Sequence, residues 1–151
     1  MNKKLLRLEY VNLEVNASSQ SELFDLVSEQ LKLKGLVTDT YQSALKEREN
    51  NFPTGLATSK LNIGIPHTDP EHINEAFIYI VRNNSSIEIL QMGDNSELAC
   101  KDFIFLGIKE PSKQVGMLSK LMELFMDDNF STAYIEENHN EGMFELLTNH
   151  F

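Results

Sequence analysis

The chain holds four histidines, and one of them, His67, sits where an imidazole can do chemistry. It follows Ile65-Pro66 at the end of a short apolar run in the stretch LNIGIPHTDPEH. A residue before proline avoids helical geometry, so Ile65 is expected to stay extended, and Pro66 is expected to end the strand ladder. His67 then stands just beyond a strand end, where ligands collect in α/β sheets. By position alone, a loop histidine without a role fits as well. Near neutral pH an imidazole is partly neutral, with a free lone pair on one ring nitrogen. That nitrogen can take a phosphoryl group and later give it up, because the P–N bond is labile. The step asks the protein chiefly for positioning and charge stabilisation. It calls for a cation, or several N–H and O–H donors, around the phosphoryl oxygens. Arg48, in LKEREN, is the candidate cation. The bland alternative for Arg48 is a solvated helix residue. Thr54, Thr68 and the backbone amides near Gly55 are the candidate donors.

Other chemistries fit less well. HTDPEH holds three potential metal ligands, His67, Asp69 and His72. Their spacing matches no helical histidine pair, Pro70 interrupts them, and no second ligand cluster exists, so no metal is expected. A metal-dependent hydrolase at this stretch stays as a competing reading. The single cysteine, Cys100, lies in or beside a strand and reads as a small core residue. His139 and His150 read as exposed residues of a polar terminal region. No nucleophile elbow, phosphate-binding loop, dinucleotide fingerprint or kinase motif is present, and no cofactor is expected.

The elements that must position His67 follow from pattern. LRLEYVNLEV alternates roughly and predicts a first strand. SQSELFDLVSEQLKLKG predicts a helix capped by Ser19 or Ser21 and stopped by Gly35. TDTYQSALKERENN predicts a second helix, capped near Thr38 or Asp39, with Tyr41 and Leu45 on one face. FPTGLATSK reads as loop. LNIGI, EAFIYIVR, SSIEIL and KDFIFLGI read as four further strands. SKQVGMLSKLMELFMDD predicts an amphipathic helix with Val115, Leu118, Leu121, Met122 and Phe125 in one stripe. FSTAYIEE and NEGMFELLTNHF predict short helices at the end. Helices at both ends of a block of strands imply an α/β fold: a mixed β-sheet flanked by helices on both faces, in one layered domain over residues 1–151.

Composition narrows the partners. With 13 basic and 23 acidic residues among 151, the formal net charge is -10. A nucleic-acid partner is not expected without a basic patch, nor is an anionic membrane surface. No segment reaches the ~20 apolar residues of a membrane helix, and the N-terminus lacks the three-part pattern of a signal peptide. One cysteine allows no internal disulfide, and a cytoplasmic location is expected.

ALKERENNFPTGLATSKLNIGIPHTD resembles the phosphoacceptor region of IIA components of the sugar phosphotransferase system, fructose/mannitol branch. The residues that carry the resemblance are Arg48-Glu49, Thr54-Gly55, Ile63 to Ile65, and Ile65-Pro66-His67. YQSALKERE, FIYIVR and GMLSKLMELF extend it over most of the chain; ERENNFPTGL followed by IPHTD looks most like the galactitol-type members, and KEPSKQVGMLSKLM also resembles them. The resemblance implies that His67 accepts a phosphoryl group, on Nε2, from phospho-HPr. It implies transfer onward to a cysteine of a separate IIB protein, which serves a IIC membrane transporter taking up a sugar or polyol. Arg48 matches the family arginine near that site. Many members carry a second histidine at the start of the late helix, where Gln114 stands here. A glutamine can donate a hydrogen bond but cannot carry charge, so a supporting role is expected of Gln114. A regulatory member of the same family, signalling through its phosphorylation state, is the alternative. Ile65 and Leu56 are expected to form an exposed apolar docking surface beside His67.

Overall fold

A computed structural model describes residues 5–151 of the chain. The elements run β1 (Val11–Val15), α1 (Gln20–Leu33), α2 (Tyr41–Asn51), β2 (Gly55–Ala57), β3 (Asn62–Gly64), β4 (Phe77–Leu90), β5 (Glu97–Gly107), α3 (Pro111–Met126), α4 (Asp128–Glu136) and α5 (Asn140–Thr148). The strands form one five-stranded sheet in the order β1-β4-β5-β3-β2. β1 is parallel to β4 and β3 to β5, while β4 with β5 and β2 with β3 are antiparallel. The sheet is therefore mixed, as expected.

Strand alternation sends neighbouring side chains to opposite faces. In β4, Phe77, Tyr79 and Val81 join one core with Leu23, Phe24, Leu31, Tyr41 and Leu45 of α1 and α2. Ile78 and Ile80 join the other core with Met117, Leu121, Phe125, Tyr134, Met143 and Leu147 of α3, α4 and α5. Helices thus cover both faces of the sheet, which explains why the central strands read as unbroken apolar runs.

Local signals hold at α1. Ser19 is its N-cap, accepting from the Glu22 amide at 3.1 Å, and Gly35 follows its end at φ +75°, where glycine carries no steric cost. The cap of α2 falls at Thr40 rather than at Thr38 or Asp39, without a side-chain capping bond.

Four expectations need correction. FPTGLATSK is not all loop: Gly55–Ala57 forms the edge strand β2, paired with β3. Gly55 makes this possible, since a Cβ there would meet the Leu90 carbonyl oxygen at 2.4 Å. EAFIYIVR and SSIEIL are one strand, β4, with an irregularity in register between Arg82 and Ile87. The polar residues between them stay in the sheet because buried Asn83 donates to the Ala17 carbonyl (2.9 Å) and accepts from its amide (2.7 Å). The first strand starts only at Val11, after a 3₁₀ turn over Leu8–Tyr10. In α3 the buried row is Met117, Leu121 and Phe125, with Leu118 and Met122 partly buried, while Val115 is exposed.

Candidate phosphoacceptor site

His67 lies past the end of β3 but the backbone there is still pinned to the sheet. The Pro66 carbonyl accepts from the Leu106 amide at 3.0 Å, and His67 bridges to Leu106 in parallel register. Pro66 therefore does not end the pairing: it lacks an amide donor, but its carbonyl still accepts from the neighbouring strand. On the other side, the Ile65 amide donates to Thr54 Oγ1 at 3.3 Å. Thr54 in turn donates its amide and its hydroxyl to the two carboxylate oxygens of Glu49, each at 2.8 Å. Glu49 and Thr54 are both buried. Burial pushes the Glu49 carboxyl up from its ordinary pKa, and the two Thr54 bonds and the Arg48 charge oppose that shift.

The ring itself is held by one short contact. His67 Nδ1 lies 2.8 Å from the Ile65 carbonyl oxygen. A carbonyl can only accept, so Nδ1 carries the hydrogen and the neutral ring presents its lone pair at Nε2. His67 is only 8% exposed. That burial lowers its pKa below the ordinary value of 6.5, opposed by the Ile65 bond; Arg48 lowers it further and Asp69 raises it. The nucleophilic form is thus the resident one at neutral pH.

Arg48 approaches from the last turn of α2. Its Nη1 donates to Asp69 Oδ1 at 2.7 Å, and its guanidinium lies 5.7 Å from the centre of the Phe52 ring. Its Nε is buried and finds no acceptor among the described residues. The Arg48 charge acts on the His67 ring, and a charged donor without a partner is suited to an incoming anion.

The other candidates fall as follows. Thr68 is buried and donates its hydroxyl to the Asp69 carbonyl at 3.0 Å. Gln114 reaches the site from α3, its Nε2 donating to the Thr68 carbonyl at 3.1 Å. Thr54 supports the Ile65 backbone, with its hydroxyl hydrogen given to Glu49. His72 turns its Nδ1 to Thr40 Oγ1, 2.7 Å away, and Asp69 is taken by Arg48. Among the described residues no group of three His, Cys, Asp or Glu side chains is placed to hold a metal ion. Cys100 is a buried core residue whose thiol is pushed up to about 12 by burial, so it is not a nucleophile at neutral pH. His139 is exposed, and His150 packs its ring on Phe130. The expected docking pair is corrected: Ile65 is fully buried and Leu56 is 8% exposed, because both face the α3 core. The exposed apolar side chains near the site are Phe52, beside Arg48, and Val115, next to Gln114.

Comparison with known proteins identifies the family. A family model described as the phosphoenolpyruvate-dependent sugar phosphotransferase system, EIIA 2, matches residues 4–150. The chain belongs to this EIIA family. The galactitol-specific EIIA component of Escherichia coli strain K12 is 29% identical over 109 residues, which are 72% of this chain and 73% of that relative. The mannitol IIA of Escherichia coli, solved with phosphorylated mannitol IIB, superposes with a TM-score of 0.75 at 20% identity, over 96% of this chain and 99% of that one. The nitrogen regulatory IIA of Neisseria meningitidis superposes with a TM-score of 0.77 at 18% identity, over 96% and 97%. These two structural likenesses establish the shared fold. No helix of the described residues is long and apolar enough to cross a membrane.

Two residues of this candidate site carry no expected part in phosphoryl chemistry from the sequence. Glu49 continues the buried row Tyr41, Leu45 of α2 at a spacing of four, and that spacing was the signal for an inward carboxylate. In sequence Asp69 reads only as a potential metal ligand; its pairing with a residue 21 positions away leaves no local trace.

Proposed function

We propose that this chain is a sugar- or polyol-specific IIA phosphocarrier of galactitol type, with His67 as phosphoacceptor and Arg48 as the group that steadies the phosphoryl oxygens. The observation that carries the reading is the fixed tautomer: Nδ1–H is held by the Ile65 carbonyl, and Nε2 is left with its lone pair. In the first step Nε2 attacks the phosphorus of phospho-HPr. The new P–N bond forms as the donor's P–N bond breaks, and the electron pair returns to the donor ring. In the second step a IIB cysteine thiolate attacks the same phosphorus, an S–P bond forms, and the pair of the broken bond returns to Nε2. Nδ1 keeps its proton throughout, so no general base is needed. Arg48 lends a cation that offsets the charge on the equatorial oxygens in both steps. The galactitol-specific relative supports the transport assignment, with a IIC transporter downstream of IIB.

The test is phosphorylation of the purified protein by phosphoenolpyruvate, enzyme I and HPr, read by intact mass. The expected result is a gain of one acid-labile phosphoryl group that is absent from His67→Ala, with the circular dichroism of the variant unchanged. Normal labelling of His67→Ala would sink the assignment. Addition of a galactitol-type IIB then discharges the phosphoprotein; a phosphoprotein that no IIB discharges would instead favour the regulatory role.

A further inference from the structure

We propose that Asp69 is a positioning residue that keeps Arg48 partly engaged and so keeps the phosphoryl group on His67 transferable; this rests on the phosphocarrier reading above. A site built only to bind phosphate would exclude carboxylates. Here Arg48 lines a hollow of about 290 Å³ whose other walls include Glu47, Asp69, Glu71 and His72, with His67 outside the lining, so carboxylates outnumber the guanidinium there. Of these, only Asp69 is bonded to it, at 2.7 Å among the described residues, and Asp69 stands two positions after His67. The charges of both Arg48 and Asp69 are felt by the imidazole.

The consequence follows from competition for one donor set. A phosphoryl group on Nε2 and the Asp69 carboxylate both seek Arg48, and the two anions repel each other. Whatever share of Arg48 the carboxylate retains raises the free energy of the phosphorylated form. Asp69 itself is well exposed, with 64% of its side chain open to solvent, so it can yield Arg48 without stranding a buried charge. The arrangement suits a carrier, which must accept from one partner and release to the next, and does not suit a store.

The experiment uses the full chain with HPr, enzyme I and limiting phosphoenolpyruvate. It reads the equilibrium ratio of phosphorylated His67 to phosphorylated HPr by intact mass. Asp69→Asn is expected to raise that ratio by about fivefold, the scale of one exposed ion pair. Glu71→Gln removes a charge from the same hollow but no bond to Arg48, and is expected to change the ratio by less than about twofold. A purely structural role for Asp69 would lower the melting temperature and leave the ratio alone. An unchanged ratio in Asp69→Asn, or an equal change in Glu71→Gln, overturns the proposal. If the wild-type chain takes no phosphoryl group from HPr, it is the phosphocarrier reading that fails. Asp69 is then judged with inorganic phosphate, titrated while the Arg48 Nε–H resonance is followed by NMR. Asp69→Asn is expected to bind phosphate about fivefold more tightly, and equal affinities overturn the role.

Discussion

The two walls around His67 are built on opposite plans. The inner wall is buried and closed: Glu49 holds Thr54, Thr54 holds the Ile65 amide, the Ile65 carbonyl holds Nδ1, and Leu106 holds Pro66. The outer wall is more open: among the described residues Arg48 has one ion pair, to an exposed carboxylate, and the ring of exposed Phe52 lies 5.7 Å from its guanidinium, although its Nε is itself buried. Buried hydrogen bonds are expensive to leave unmade and so fix geometry, whereas an exposed ion pair is worth little and can be exchanged. The difference assigns the tasks. On the proposed phosphocarrier reading, the ring that keeps one tautomer is held by the first kind of contact, and the cation that answers an arriving charge is held by the second.

The largest expected effect is at the ring. His67→Ala removes the acceptor nitrogen, so phosphoryl transfer should vanish altogether, with a folded protein by circular dichroism. Arg48→Ala comes next. Loss of a preorganised cationic donor typically slows transfer on the order of a hundredfold. Because its one ion pair is exposed, its stability in urea should change by less than about 1 kcal/mol. A variant as unstable as an inner-wall variant would break the distinction between the walls.

On the inner wall the order of effects reverses. Thr54→Val keeps the shape but removes the hydroxyl bonds to Glu49 and to the Ile65 amide. The buried carboxylate and amide then lose partners, at a cost of about 2 kcal/mol in urea unfolding. The pH dependence gives a subtler reading of the same wall. His67 has its pKa lowered by burial, so the unfolded chain binds the ring proton more tightly than the folded protein does. This residue's share of the stability is complete above the unfolded value of about 6.5 and is lost as pH falls from there through the folded pKa. His67→Gln should flatten that part of the stability profile, and a slope equal to that of wild type would show that the ring is not desolvated. In the same window the neutral nucleophile persists, so transfer to wild type should hold its rate to a lower pH than free histidine would.

How much of this was legible in sequence depended on whether a feature has a local period. The apolar run Phe77, Ile78, Tyr79, Ile80, Val81 showed a strand, which the fold buries on both faces, and Ser19 and Gly35 marked the ends of α1 by capping chemistry. Ile65-Pro66-His67 was readable because proline constrains its neighbour. β2 was missed because three residues carry no period, and its pairing depends on Gly55 lying against Leu90, far along the chain. β4 was divided in two because its polar middle looks like a turn until Asn83 is seen bonded to Ala17. Ile65 and Leu56 were misjudged because nothing local shows that α3 covers that face. The partnership of Arg48 with Asp69 and that of Gln114 with Thr68 are tertiary contacts between segments, and only the fold brings them together.

Gln114 offers the finest probe of the boundary between the walls. It is half-buried, comes from α3, and touches the site through a neutral bond to the Thr68 carbonyl, one residue after His67. If its task is to steady that backbone, Gln114→Ala should cost about 1 kcal/mol of stability, the scale of one neutral hydrogen bond, and slow transfer only a few-fold. Gln114→Glu is the sharper variant. A carboxylate cannot donate to a carbonyl, so the bond is lost as in the alanine variant. It also adds a negative charge near the position an incoming phosphoryl group would take, so transfer should fall further, by about tenfold. The gap between the two variants isolates charge from geometry. Equal rates in the alanine and glutamate variants would place Gln114 too far from the phosphoryl group to feel it, and so wholly on the inner wall. A loss in Gln114→Ala as large as in Arg48→Ala would instead move it to the outer wall, as a direct donor to the phosphoryl oxygens.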